Sequence, residues 1–264
     1  MRTLRVLSSF VILALLAWWW WQHQAPAGAI AHGPCSGCNL ILVTIDTLRA
    51  DRLGAYGNTT TLTPHLDALA EHGVRFTHAY THAPLTLPAH TSILTGLIPA
   101  HHRVRNNVTF RLGDREQTLA TRLKSRGYRT AAFVGAFVLD RRFGLSAGFD
   151  EYDDRVPEAR DSASFGFARR KAPEVLRPAG EWIAQTKWPY FAWIHLFDPH
   201  APYEAPAELK SGRTAYDAAV AYTDAMLGAF LDQLRAAGKL NQTLIIVTAD
   251  HGESLGEHGE KTHG

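Results

Sequence analysis

Residues 39–47 read NLILVTIDT, an almost continuous apolar run that stops at a polar pair, Asp46-Thr47. Such a run is expected of a strand buried on both faces, which occurs where helices cover a parallel sheet. Three later stretches share this character: YRTAAFVGAFV (128–138), WPYFAWIHLFDPH (188–200) and QTLIIVTADHG (242–252). The last two also run from an apolar strand into polar residues. Helical segments are expected between them: 64–73 opened by Thr63-Pro64, 88–95 opened by Pro88, 118–126 closed by Gly127, 173–187 with Pro178 inside it, and 216–237 closed by Gly238. A short strand is expected at 74–80, and residues 140–172 read as irregular and charged. Strands alternating with helices predict an α/β fold: a mostly parallel sheet with helices on both faces.

The 264-residue chain is long enough to bury a substantial core, and its 46% hydrophobic and 20% charged content is ordinary for a globular protein. A net charge of +2, with no basic helix carrying interleaved aromatics, does not point to a nucleic-acid partner. The N-terminal segment reads differently. Arg2 and Arg5 precede an uncharged apolar run from Val6 to Trp21, 16 residues long, which ends in four tryptophans. As a helix it would extend about 24 Å. Indole rings favour the membrane–water interface, and the preceding positive charge keeps the N-terminus inside. Residues 1–24 are therefore expected to be a signal anchor or transmembrane segment, or a cleaved signal. Residues 25–38 form a linker, and residues 39–264 form a domain outside the cytoplasmic membrane, periplasmic or extracellular. The only cysteines, Cys35 and Cys38, lie in that linker, where a local disulfide or two idle thiols is expected rather than a redox or zinc motif.

Open α/β sheets place their sites at the carboxyl ends of the strands. Asp46 ends the first strand, His195, Asp198 and His200 follow another, and Asp250-His251 ends the last, with His263 downstream. One aspartate after a strand is an ordinary turn residue. Several such residues at one sheet edge are hard to explain by capping, and carboxylate with imidazole is a donor set for a divalent cation. LTLPAHTSILTG (85–96) adds a hydroxyl, Thr86, just before a helix. Alone it reads as an N-cap; beside a cation it reads as a nucleophile, because the cation would lower the pKa of the hydroxyl. Arg49, His101 and His102 read as solvated loop residues.

The set resembles the alkaline-phosphatase-like superfamily, and most closely its sulfatase branch. The resemblance rests on NLILVTIDTLRADRLGAYG (39–57), TPHLDALAEHGVRFTHAY (63–80), LTLPAHTSILTGLIPAHHRVRNN (85–107), HLFDPHAPY (195–203) and TADHGESLGEHG (248–259). It implies the fold given above, a divalent metal, and hydrolysis or transfer of sulfate or phosphate esters. Carried over by motif, Asp46, Asp250 and His251 are metal ligands and Thr86 is the metal-bound nucleophile. His200 contacts substrate oxygens or a second metal. His263 takes a position often held by Lys in sulfatases and by a metal or substrate His in related transferases. Asn107 holds a non-bridging oxygen, and His90 orients Thr86.

Departures from the pattern carry information. Sulfatases have Cys or Ser in C/S-x-P-x-R, which is converted to formylglycine. This chain has T-x-P-x-H, and Thr cannot follow that route because its extra methyl would give a ketone. Thr with a nearby His and DHG resembles the nucleotide pyrophosphatase/phosphodiesterase and phosphoethanolamine transferase branches. Ile45-Asp46 replaces the usual Asp-Asp, which removes a hard oxygen ligand and favours zinc or manganese over calcium. The chain ends at EKTHG, where the family continues into more sheet and a C-terminal subdomain, so an incomplete domain is expected. The expected function is a metal-dependent hydrolase of sulfate or phosphate esters. The alternatives are a phosphoethanolamine-type transferase of the cell envelope and an inactive truncated remnant.

Overall fold

The computed structural model describes residues 37–156, 168–187, 189–260, 262 and 263. Its sheet has five strands: β1 (Asn39–Ile45), β2 (Arg129–Val134), β3 (Glu151–Asp153), β4 (Tyr190–Leu196) and β5 (Thr243–Ala249). They lie in the order β3-β2-β4-β1-β5, and every pairing is parallel. Ile45 is level with Leu196 on one side and with Ala249 on the other. The residues that follow β1, β4 and β5 therefore emerge together at one edge of the sheet.

Side chains along a strand alternate between faces, and each face has its own core. Ile41, Val43 and Ile45 of β1, with Ala192, Ile194 and Leu196 of β4, pack against the helices α1 (Pro64–Glu71), α4 (Ala172–Gln185) and α5 (Ala215–Ala236). On the other face, Leu42, Ala132, Val134, Phe191 and Trp193 meet α2 (Thr86–Thr95) and α3 (Leu119–Lys124). The sheet is thus covered on both sides, as the apolar runs predict. Edge strand β5 is the exception, with Leu244 and Ile246 exposed.

Local readings are refined in four places. Thr63 does not cap α1: Asp224 of α5 accepts the N–H groups of His65 and Leu66, while the Thr63 hydroxyl bonds Gly54 N and Asp67. Residues 74–80 form no strand; all are exposed, and no described strand pairs with them, so the alternation there has no ladder to join. Conversely, β3 lies inside the stretch read as irregular. Three residues are too few to show a period, and β3 exists because β2 supplies its register, Ala131 to Glu151 through Phe133 to Asp153. Finally, β2 stops at Val134 and the chain turns through Phe137–Leu139, shorter than the apolar run suggested. Among the described residues no helix is long and apolar enough to cross a membrane, and the anchor expected over 1–24 lies outside them. Cys38 is disulfide-bonded.

Candidate active site and metal centre

Asp46, Asp250 and His251 converge at the shared sheet edge, and all three are buried. His251 Nε2 lies 3.4 Å from Asp250 Oδ2 and 3.7 Å from Asp46 Oδ1. One ligand atom from each falls within 4.8 Å of the others. The loop after β1 makes this approach possible: Thr47 adopts φ +55°, in the left-handed region, and is held there from both sides. Its N–H donates to Asp250 Oδ1 (3.2 Å), and its carbonyl accepts from Tyr216 Oη (2.7 Å). A strained residue that its neighbours hold in place is typical of functional sites.

Donor chemistry fits a cation. Both oxygens of Asp46 and Oδ2 of Asp250 are buried with no hydrogen-bond partner, an arrangement that is costly unless a positive charge fills it. His251 Nδ1 faces the Gly252 carbonyl at 2.9 Å, which places the proton on Nδ1 and leaves the Nε2 lone pair toward the carboxylates. Charges follow the geometry. Burial alone would raise Asp46, but His195, His200 and His251 outweigh it and hold the carboxyl below the usual range. Burial and then the charge of Asp46 push Asp250 up to about 7.

This elevation has a measurable consequence. Below about pH 7 Asp250 holds a proton that a cation must displace, so affinity should climb with pH and level off above the Asp250 value. Zinc titrations by calorimetry, in buffers of different ionisation enthalpy, should record a proton released at pH 6 and markedly fewer at pH 8. A release that does not change with pH would remove Asp250 from the ligand set.

Thr86 is the first residue of α2, not its cap. Its hydroxyl makes no capping bond and lies 3.4 Å from His251 Nε2, in a position only 3% exposed. Asn107 takes over the capping role: its Oδ1 accepts from Leu87 N at 2.9 Å. Asn107 takes Leu87 N, Leu85 O takes Ala89 N and Pro88 carries no N–H, so what this helix end offers an anion is chiefly its dipole.

His90 lies buried between Thr44 and Thr86, 3.5 Å from Asp250 Oδ2. Trp193 Nε1 donates to Thr44 Oγ1 (3.0 Å), that hydroxyl faces His90 Nε2 (2.9 Å), and His90 Nδ1 faces the Thr86 carbonyl (2.7 Å). Both ring nitrogens are therefore engaged, and burial, then His195, hold the ring neutral with a pKa of about 3. His90 meets Thr86 at its main-chain carbonyl, not at its hydroxyl.

His200 and His263 border the site. His263 lies against His251 with ring centroids 4.5 Å apart and planes tilted by 39°, and meets His200 edge-on at 4.9 Å. Glu253, which the motifs did not single out, accepts from both the backbone N–H and Nδ1 of His263, at 2.9 and 3.0 Å. Burial alone would lower His263, but this carboxylate outweighs it and raises the ring's pKa. A carboxylate two residues after His251 was the available signal. Arg49 and His102 are not solvated loop residues. Arg49 ties the β1 loop to Glu253 O and Glu257, and His102 is buried against Ser92.

The chain is also similar in sequence and fold to known proteins. The chain is 27% identical to an ulvan-active sulfatase of Formosa agariphila, over 83% of this chain and 51% of that protein. It is 28% identical to human N-acetylgalactosamine-6-sulfatase, over 86% and 52% respectively. The chain therefore spans about half the length of these curated relatives. Among solved structures, a phosphonate monoester hydrolase of Agrobacterium radiobacter superposes with a TM-score of 0.73 at 22% identity, covering 86% of this chain and 64% of that one, which shows a shared fold. The family model for sulfatases matches residues 38–264, from the threshold of β1 through every group that meets at the sheet edge, and the chain belongs to the sulfatase family.

Proposed function

We propose that this chain carries the core of a metal-dependent hydrolase of sulfate or phosphate esters, with Thr86 as nucleophile. The observation that carries the reading is the uncapped Thr86 hydroxyl, buried 3.4 Å from His251 Nε2 beside the unpartnered oxygens of Asp46 and Asp250. Asp46, Asp250 and His251 would hold the cation, with Thr86 facing it, and two carboxylates with one imidazole favour zinc or manganese over calcium. When bound, the cation supplies positive charge to the nucleophile and to the reacting sulfuryl or phosphoryl group.

The chain's own residues do the rest. The Thr86 hydroxyl gives its proton to solvent, and its oxygen bonds to sulfur or phosphorus as the bond to the departing alcohol breaks. The departing oxygen takes a proton from His263, whose charged form the Glu253 carboxylate favours. His200 and Asn107 contact the non-bridging oxygens. Water then cleaves the threonine ester, the released acid departs, and Thr86 and His263 regain their protons. Thr in place of the formylglycine-forming residue favours phosphoryl over sulfuryl transfer, since a threonine ester is cleaved by water at the phosphorus. The same Thr supports the transferase reading, in which an acceptor alcohol replaces that water. The apolar run 6–21 and a disulfide-bonded Cys38 support an anchored domain in an oxidising compartment outside the cytoplasmic membrane.

The test is an assay of the chain loaded with zinc or manganese against aryl phosphate monoesters, diesters and aryl sulfates. Phosphate-ester turnover should exceed sulfate turnover, with phosphothreonine found at residue 86 after rapid quenching. A chain that binds the cation but hydrolyses none of these esters overturns the reading.

A further inference from the structure

His195 is a fully buried residue of β4 that the family's ligand set leaves without a role. We propose that it is a positioning residue for the cation site: it carries its proton on Nε2, aims it at Asp46 Oδ2, and so turns Asp46 Oδ1 toward the ligand cluster. The inference rests on the metal reading above.

Hydrogen bonding assigns the tautomer. Gly135 N–H donates to His195 Nδ1 at 3.3 Å. A ring nitrogen that accepts a hydrogen bond holds no proton, so the neutral ring carries its proton on Nε2. That nitrogen is buried, has no other partner, and lies 3.5 Å from Asp46 Oδ2, which is itself without a partner. The opposite oxygen, Oδ1, is the one nearer His251 Nε2, at 3.7 Å. One carboxylate oxygen thus faces a donor and the other faces the ligands, so the side chain has a defined rotation. Close backbone packing sets the arrangement up. A Cβ at position 135 would stand 3.0 Å from the His195 carbonyl, so glycine lets the 135 amide reach the ring.

The rival reading makes His195 a ligand itself. His90, His195 and Asp250 do bring ligand atoms within 4.8 Å of one another. Yet a coordinating Nε2 would need its proton on Nδ1, pointing straight at the Gly135 N–H, and two donors would then face each other. His90 cannot complete that trio either, because Thr86 O and Thr44 Oγ1 occupy both of its nitrogens. A partner that orients a ligating group from behind is a recurrent feature of metal sites, and losing it typically costs 10–100-fold in metal affinity.

Two measurements on the full chain test this. Long-range proton–nitrogen correlation spectra of the nitrogen-15-labelled, metal-free wild type should show His195 as the Nε2–H tautomer; an Nδ1–H tautomer overturns the proposal without needing any variant. Zinc affinity, measured by competition with a chromophoric chelator, should then separate two substitutions. His195→Asn keeps an acceptor for Gly135 but has no atom at the Nε2 position, and should bind zinc about 10–100-fold more weakly. His195→Gln returns an amide donor to that position and should stay within about threefold of wild type. A His195→Asn chain with wild-type affinity overturns the positioning role alone, as does a His195→Gln chain no better than His195→Asn. A wild type that binds neither zinc nor manganese overturns the metal reading together with this role.

Discussion

Thr86→Ala should lower turnover by at least about 10⁴-fold while leaving the fold intact, because removing the attacking group of an ester-cleaving enzyme is among the most damaging single changes known. The structure separates this loss from unfolding. The Thr86 hydroxyl caps nothing, and Leu87 N is satisfied by Asn107 instead. Alanine is also the better helix former, so the first turn of α2 does not suffer. If capping were the real role, Thr86→Ala would cost about 1 kcal/mol of stability and Thr86→Asn would restore it. Thr86→Ser, which keeps the hydroxyl, should retain most of the activity. Steady-state kinetics beside thermal unfolding curves decide the matter, and a folded, cation-loaded Thr86→Ala chain with unchanged kcat ends the nucleophile assignment.

Asp250→Asn should have opposite effects with and without a cation. In the metal-free protein, burial and the charge of Asp46 raise Asp250 to about 7, well above its value in an unfolded chain. A group whose pKa is raised by folding contributes its stability at low pH and loses it as pH climbs toward the folded value. Above pH 7 the ionised carboxylate is therefore a net cost that asparagine does not carry. Asparagine Oδ1 can still accept from Thr47 N and His251 N, as Asp250 Oδ1 does. The chelator-treated variant should be more stable than wild type by about 1–3 kcal/mol at pH 8, with a smaller gap at pH 5. Zinc at about a thousandfold over its Kd stabilises wild type by about 4 kcal/mol, and the order reverses because the variant lacks a ligand. Urea denaturation with zinc and with chelator reads both signs. A variant that zinc stabilises as much as wild type would remove Asp250 from the site.

These experiments probe a region whose parts were unequally legible beforehand. Asp46, Asp250 and His251 could be placed at one sheet edge from the sequence because each follows an apolar run, and parallel strands in register bring such ends together. Thr86 was ambiguous for a good reason. A hydroxyl before a helix is normally a cap, and here Leu87 N is taken instead by the Asn107 amide, twenty residues further along the chain. The family resemblance gave His90 the role of orienting Thr86; in the fold its ring reaches the Thr86 carbonyl, with Thr44 and Trp193 holding its far side. Glu253 was legible only as one more acidic residue in a polar loop, until the fold set it against His263.

Local sequence specified four of the five strands, the two covered faces and the polar residues gathered at the carboxyl edge. Those depend on local apolar runs and on the rule that parallel strands deliver their ends to the same place. Tertiary structure decided what the short elements did and where the protons sit. Strand β3 exists through its pairing with β2, and 74–80 forms no strand for want of a partner. His195 has its proton placed by an amide 60 positions away, and the Thr86 hydroxyl meets a ring 165 positions away. Hydrogen-bond direction depends on which groups meet in space, and no local pattern along the chain encodes it.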